Sequence, residues 1–269
     1  MKTIFITGTS SGIGKATAKL FAQKGWTVIA TMRSPEKETE LTKYENIHIY
    51  PLDVTNQKQV SEIYSEVLAK YDVDVLFNNA GYGMKSRFED MQEEAIRKSI
   101  DTNILGFIRV TQQFIPYFKN KKNGIILTTT SLAGEMGLIL DGAYAADKWA
   151  VTGMCEMLYY ELAPYNIQVK TLVPGVVKTS FKMEGGEHMP EEYQEYVNRQ
   201  VQMLMPDMTC LEEPEEAAED VWYAVNDKDK DRLSYVTGKV SKEILKKRHD
   251  MGEDAFRRYY KNFLLGENM

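Results

Sequence analysis

Thr7-Gly8-Thr9-Ser10-Ser11-Gly12-Ile13-Gly14 joins the apolar run Lys2–Thr7 to Lys15–Lys24, a segment in which Ala16, Leu20 and Phe21 recur at helical spacing. A strand, a glycine-rich turn and a helix in that order open a βαβ unit. Glycines spaced GxxxGxG let the backbone turn sharply and approach a ligand, because no Cβ stands in the way. The positive end of the following helix then favours an anion such as a pyrophosphate. An ordinary glycine-rich turn carries the same letters, so the rest of the chain has to decide.

Outward from this stretch, short apolar runs alternate with helical periods. Thr27–Met32, Ile47–Leu52, Val73–Asn78, Gly124–Thr130, Ile167–Val173 and Ser234–Thr237 read as strands. Gln57–Lys70, Glu89–Asn103, Leu105–Lys119, Ala143–Ala163 and Glu215–Asn226 read as helices. This alternation predicts an α/β fold, a doubly wound parallel sheet of seven strands with helices on both faces. No linker is visible, so residues 1–269 read as one domain. Residues 180–210 hold five methionines and two tyrosines without a long period. A helical segment at about 241–265 closes the chain, and Lys242–Arg258 within it reads as a solvated helix. In such folds the ligand lies beyond the carboxyl ends of the strands.

Composition narrows the function. The 269 residues carry a net charge of −6, which argues against a nucleic-acid partner. With 43% hydrophobic residues the chain can fold. No apolar run approaches a membrane span, and the N-terminal one is shorter than a signal-peptide core. Cys155 and Cys210 form no framework, and His48, His188 and His249 show no metal-ligand spacing. A cytoplasmic, metal-independent protein is expected.

The ends of the predicted strands carry candidate ligand contacts. Strand two ends in Arg33, where a carboxylate for a ribose 2′-hydroxyl would otherwise stand. Arg33, with the Ser10 and Ser11 hydroxyls, suits a 2′-phosphate and so favours NADP(H), with NAD(H) possible. Arg33 as a solvated surface charge stays open, and Glu36, Glu38 and Glu40 nearby would weaken a phosphate site. Asp53, followed by Val54, can accept from an adenine amino group or cap the next helix. Asn78-Asn79-Ala80-Gly81 forms a small-residue turn that can pass close to the adenine ribose.

Tyr144-Ala145-Ala146-Asp147-Lys148 carries the chemistry. Residues i and i+4 share a helix face, so a phenol and an ammonium point into one cleft, and Lys148 together with a positively charged nicotinamide is expected to lower the Tyr144 pKa. YxxxK also occurs at Tyr117/Lys121 and Tyr235/Lys239, but only Tyr144 stands 13 residues after a serine closing an apolar strand. That serine, Ser131, can hydrogen-bond a substrate oxygen. Met154, Cys155 and Met157, further along the same helix, read as core or subunit contacts.

Together these residues resemble the short-chain dehydrogenase/reductase family, over about residues 2–180. The resemblance rests on Thr7–Gly14, Asp53, Asn78–Gly81, Asn103, Ser131, Tyr144, Lys148, and Pro174-Gly175 with Thr179. It implies a Rossmann fold with strand order 3-2-1-4-5-6-7. It implies Tyr144 as acid/base, Ser131 orienting substrate, Lys148 on the nicotinamide ribose and Asn103 holding a relay water. Pro174, Gly175, Val177 and Thr179 would cover the nicotinamide, and a homodimer or homotetramer is implied. Thr128-Thr129-Thr130 replaces the family's usual Asn-x-Ser, with Thr130 keeping a hydroxyl. Residues 180–210 fall where the family places a substrate lid. Phe181, Met183, Met189, Tyr193, Tyr196, Met203, Met205 and Met208 there suit an apolar carbonyl or alcohol, such as a steroid, retinoid or fatty acyl derivative, or simply pack the lid down. Arg33 and Tyr144–Thr152 resemble the hydroxysteroid and retinol dehydrogenase branch. A 3-oxoacyl thioester reductase and a non-catalytic NADP-binding scaffold or sensor are the alternatives.

Overall fold

The computed structural model describes residues 1–181, 183–185, 191–207 and 210–267. Its main sheet has seven strands: β1 (Thr3–Thr7), β2 (Thr27–Met32), β3 (Ile47–Pro51), β4 (Val75–Asn78), β6 (Gly124–Thr129), β7 (Ile167–Val173) and β9 (Ser234–Val236). They lie in the order β3-β2-β1-β4-β6-β7-β9, all parallel. Counted by place in this sheet, that is the expected 3-2-1-4-5-6-7.

Buried on both faces, the strands read as unbroken apolar runs rather than as alternation. Phe5, Ile29, Leu76 and Ile126 point to one layer, formed by α2 (Gln57–Leu68), α4 (Gly106–Lys121) and α5 (Gly142–Leu162). Their strand neighbours Ile4, Ile6, Val28, Val75 and Leu127 point to the other, formed by α1 (Gly12–Gln23) and α7 (Pro214–Asn226). Cys155 is fully buried in the first layer, Met154 packs against it, and Met157 is exposed.

Three regions depart from the sequence expectation. Helix α1 begins at Gly12, not Lys15, because the last glycines of the loop already form its first turn. The segment expected as helices Glu89–Asn103 and Leu105–Lys119 is α3 (Glu93–Ile100), a π-helical turn at Asp101–Leu105, and α4. A wide turn of this kind marks functional positions in many helices, and Asn103 sits inside it. The chain end is not one solvated helix. Helices α8 (Lys239–Met251) and α9 (Glu253–Leu265) part at Gly252 and bury Ile244 and Phe256 against Leu132 and Met136.

Between residues 180 and 210 the structure shows β8 (Met183–Gly185) and α6 (Glu191–Leu204). Strand β8 pairs in parallel with β5 (Gly83–Lys85), just after the Asn78–Gly81 turn. Three-residue strands flanked by glycines carry no periodic signal, so this second sheet was not legible. Met203 and Leu204 pack onto the body, as the packing alternative has it, and Met189 and Met208 lie outside the described residues. Among the described residues no helix is long and apolar enough to cross a membrane.

Candidate active site

The glycine loop is held from both sides. Gly8 and Thr9 donate backbone hydrogen bonds to the Thr31 carbonyl, each at 3.0 Å. Gly8 and Gly12 take left-handed φ values of 73° and 57°. A Cβ on Gly14 would lie 2.3 Å from the Gly8 carbonyl oxygen and 2.5 Å from Asn79 Nδ2, so only glycine fits there. Ser11 is the N-cap of α1 but makes no side-chain cap bond, and the first turn holds no acid. Helix α1 therefore offers unpaired amides and exposed hydroxyls at Ser10 and Ser11, a chemical fit for phosphate. Ile13 follows, half-buried against the β-sheet layer of α1 and α7.

Arg33 is exposed at the end of β2. The neighbouring acids do not compete for it. Glu38 pairs with Lys15 at 3.1 Å and accepts from the Glu40 and Leu41 amides, while Glu40 pairs with Lys15 and Lys19. Glu36 is exposed. Asp53 does not cap α2, since Asn56 does so by accepting from the Gln59 amide. Asp53 Oδ1 instead accepts from the Thr55 amide and hydroxyl at 2.9 and 2.7 Å. The carbonyl of Val54 accepts from Arg109.

Thr7 and Thr129, to which sequence reasoning gave no role, fix the β4 turn. Thr7 Oγ1 accepts from the Asn79 and Ala80 amides at 2.9 and 3.0 Å. The Thr129 hydroxyl donates to Asn79 Oδ1 at 3.1 Å, and the Thr129 carbonyl accepts from Lys148 Nζ at 2.9 Å. Thr130, the expected hydroxyl substitute, donates to the Leu172 carbonyl. On the far side the Pro174 carbonyl accepts from the Leu132 amide, Val177 bridges to Glu212, and the Thr179 methyl stands beside Gly12. Gly175 packs against the Ser241 side chain.

Tyr144, Lys148, Ser131 and Asn103 converge as expected. Tyr144 and Lys148 lie one turn apart on α5, both buried, with Nζ 5.7 Å from the phenol ring centroid. Burial pushes the Tyr144 pKa well above its ordinary value, and the Ser131 hydroxyl beside it pulls the other way. Among the protein's own groups burial dominates the phenol, whereas the lowering expected from the sequence takes Lys148 and a nicotinamide cation together. A phenolate is costly in this low dielectric, and the ammonium is directed at the Thr129 carbonyl. Burial instead pushes Lys148 down to about 8, opposed by Asp147. The site thus sets a phenol whose neutral form burial favours beside a lysine that burial pushes down to about 8.

Asn103 is fixed by partners that sequence reasoning missed. Its Nδ2 donates to Asp147 Oδ2 at 2.8 Å and to the Tyr82 carbonyl at 3.0 Å, and its Oδ1 accepts from the Tyr82 amide. Ser99 Oγ donates to the same Asp147 oxygen at 2.5 Å. The one available signal was an aspartate inside a helix, between Tyr144 and Lys148. Asn103, Lys148, Val54, Thr128 and Thr129 line one small cavity. Opposite, the Phe181 ring lies 6.0 Å from that of Tyr144 and is 44% exposed.

The family model for short chain dehydrogenases matches residues 2–190. The 3-oxoacyl-[acyl-carrier-protein] reductase FabG of Thermotoga maritima is 36% identical over 245 residues, 89% of this chain and 94% of the relative. A short-chain dehydrogenase from Streptomyces avermitilis superposes with a TM-score of 0.84 at 28% identity, covering 100% of this chain and 98% of its own. ElxO, solved with NADP bound, superposes with a TM-score of 0.74 at 27% identity, covering 87% of this chain and 97% of its own. The match spans the glycine loop and the tyrosine–lysine helix alike, and the chain belongs to the short-chain dehydrogenase/reductase family, as an NAD(P)-dependent oxidoreductase.

Proposed function

We propose that the chain, acting as one unit of 269 residues, is an NADP(H)-dependent reductase of an apolar small-molecule carbonyl, with Tyr144 as the proton donor. The observation that carries this reading is a buried Tyr144 with Ser131 and Lys148 beside it and the Phe181 ring 6.0 Å away.

The Gly8–Gly14 loop with Ser10 and Ser11 would hold the phosphates, and Arg33 the 2′-phosphate. Asp53 and Val54 would border the adenine, and Asn79, Ala80 and Gly81 its ribose. Lys148 and Tyr144 would hold the nicotinamide ribose, covered by Pro174, Gly175, Val177 and Thr179. When bound, the dinucleotide supplies the hydride for the carbonyl carbon. The Ser131 hydroxyl fixes the carbonyl oxygen, and Tyr144 donates its proton to that oxygen as negative charge develops there. Lys148, still mostly protonated at neutral pH, reprotonates Tyr144 through a water that the cavity shared with Asn103 would hold.

A substrate panel with NADPH and NADH tests this. Tyr144→Phe is expected to lose roughly 1,000-fold in kcat while binding NADPH normally, and near-parent turnover would refute the mechanism. Arg33→Ala is expected to cut the NADPH-over-NADH preference about tenfold. Full-length similarity to a 3-oxoacyl reductase favours a second reading, so a 3-oxoacyl thioester belongs in the panel. The convergent tetrad opposes a non-catalytic role. Exposed Leu105, Trp149, Met157 and Tyr160 on and beside α4 and α5 support a homodimer or homotetramer, which light scattering checks by mass. A cytoplasmic location belongs to the same reading.

A further inference from the structure

Helix α6 is fastened to the body by a polar residue. Of its described residues only Gln200 is buried, at 4% exposure, while Tyr193, Tyr196, Met203 and Leu204 stay partly exposed. Gln200 Oε1 accepts from the Ile139 amide at 2.8 Å and from the Tyr260 hydroxyl of α9 at 2.6 Å, and Nε2 donates to the Ile139 carbonyl at 3.4 Å. One side-chain amide thus matches both backbone groups of one residue, which no apolar side chain of the same size can do.

Ile139 lies in the loop that leads into α5, and two clamps hold this loop. From one side the Ser86 amide donates to the Leu140 carbonyl at 2.8 Å, and from the other Gln200 grips Ile139. Between the clamps Leu140 takes a left-handed φ of 68°, an uncommon state for a leucine, which persists only where the surroundings enforce it. The next residue, Asp141, is the N-cap of α5, and its carbonyl accepts from the Ala145 amide at 2.6 Å. On the other flank of Ile139, Leu138 packs against the cluster of Ala133, Tyr144 and Ala145. Leu138 also packs against Leu132, Met136, Ile244 and Phe256, the cluster under the chain end. The bonds to Ile139 therefore bear on the packing around Tyr144 and on the start of its helix.

We propose that Gln200 is a positioning residue for the reaction: by holding Ile139 through both of its backbone groups it fixes Leu138 and the first turn of α5, and so sets the Tyr144 phenol against the substrate carbonyl. The proposal rests on the reductase reading, in which Tyr144 gives the proton. Without the Gln200 clamp Leu140 is free to leave its left-handed state, and the first turn of α5 shifts with it. A reacting group misplaced by about 1 Å can lose on the order of 100-fold in rate.

In Gln200→Leu, kcat for a ketone of the substrate panel is expected to fall roughly 30-fold, with NADPH affinity within about twofold of the parent. Gln200→Glu supplies a readout that packing alone would not move. A protonated carboxyl repeats the amide pattern, its carbonyl oxygen accepting and its hydroxyl donating to the Ile139 carbonyl, whereas a carboxylate sets a charge against that carbonyl. Tyr260 of α9 bonds to this position, and Asp141 of the loop lies within electrostatic range of Tyr260. Arg199, beside it on α6, is engaged by Glu195 and the Leu264 carbonyl. Burial and Asp141 both favour the protonated carboxyl, so the ratio of glutamate-variant to parent kcat is expected near one at about pH 5.5, falling toward the leucine level by about pH 8.5. A ratio flat with pH, a leucine variant with parent kcat, or one that loses NADPH affinity as steeply as kcat overturns the proposal. The glutamate series decides alone should the leucine variant fail to fold. Hydrogen exchange needs no turnover: the Ile139 and Ala145 amides are expected to exchange at least about tenfold faster in Gln200→Leu, and unchanged exchange overturns the clamp. A parent chain inert toward every ketone refutes the reductase reading instead.

Discussion

The side of this cleft proposed for the nucleotide and the side proposed for the substrate are built by different means. On the nucleotide side, backbone meets backbone. Gly14 lies against the Gly8 carbonyl, Thr7 Oγ1 takes two amides of the β4 turn, and Thr129 links that turn to Lys148. On the substrate side, side chains do the closing. Strand β8 is three residues long, Phe181 and Met183 are partly exposed, and the ion pair Lys98–Glu184 is exposed and worth little. A fixed dinucleotide rewards a cradle with no freedom, whereas methionine and aromatic ends adapt to different apolar shapes.

The sharpest way to break this contrast is a methyl group on the nucleotide side. In Gly14→Ala the new Cβ meets a backbone oxygen and the Asn79 amide, neither of which can move without disturbing Thr7 and Thr129. NADPH affinity is expected to fall roughly 100-fold, with about 1–3 kcal/mol lost in stability. Fluorescence titration and thermal melts check both, and near-parent NADPH binding would show that the loop is not the cradle. Asp147→Asn probes the seam between the halves at a smaller scale. Asp147 fixes Asn103 and favours the charged form of Lys148. Its loss is expected to lower kcat about tenfold. It should also move the pH limb that reports Lys148 to lower values, because a cation without its neighbouring anion sheds its proton more readily. An unmoved pH profile would confine Asp147 to packing.

The same contrast explains what the sequence disclosed. Strands buried on both faces, the glycine loop and the Tyr144–Lys148 spacing are local patterns with fixed geometry, and each was readable from neighbours in the chain. Asn103 was identified through family resemblance, yet its π-helical turn and its Asp147 and Ser99 partners were not, since Ser99 and Asp147 meet across two helices. Thr7 and Thr129 act through their two hydroxyls and the Thr129 carbonyl, which no motif spells out. The β5·β8 pairing joins residues about a hundred positions apart through three-residue strands. The weight of burial on Tyr144 and Lys148 was hidden for a related reason: proximity along a helix is visible in sequence, whereas burial, which dominates both groups, is not.

The smallest effect is expected on the substrate side, from a methyl group in a place that looks equally crowded. In Gly83→Ala the Cβ would lie 2.1 Å from Met183 Sδ and 3.0 Å from Phe181 Cε1, closer than the clash at Gly14. Distance alone would rank this substitution as the more harmful. The atoms met are, however, the far ends of two partly exposed side chains, which can swing toward solvent at the cost of a rotamer change, about 1 kcal/mol. NADPH affinity and melting temperature should stay near those of the parent. The KM for a bulky carbonyl should rise a few-fold as Phe181 leaves the Tyr144 ring. A Gly83→Ala protein that loses NADPH binding as Gly14→Ala does would show that the two halves share one rigid frame.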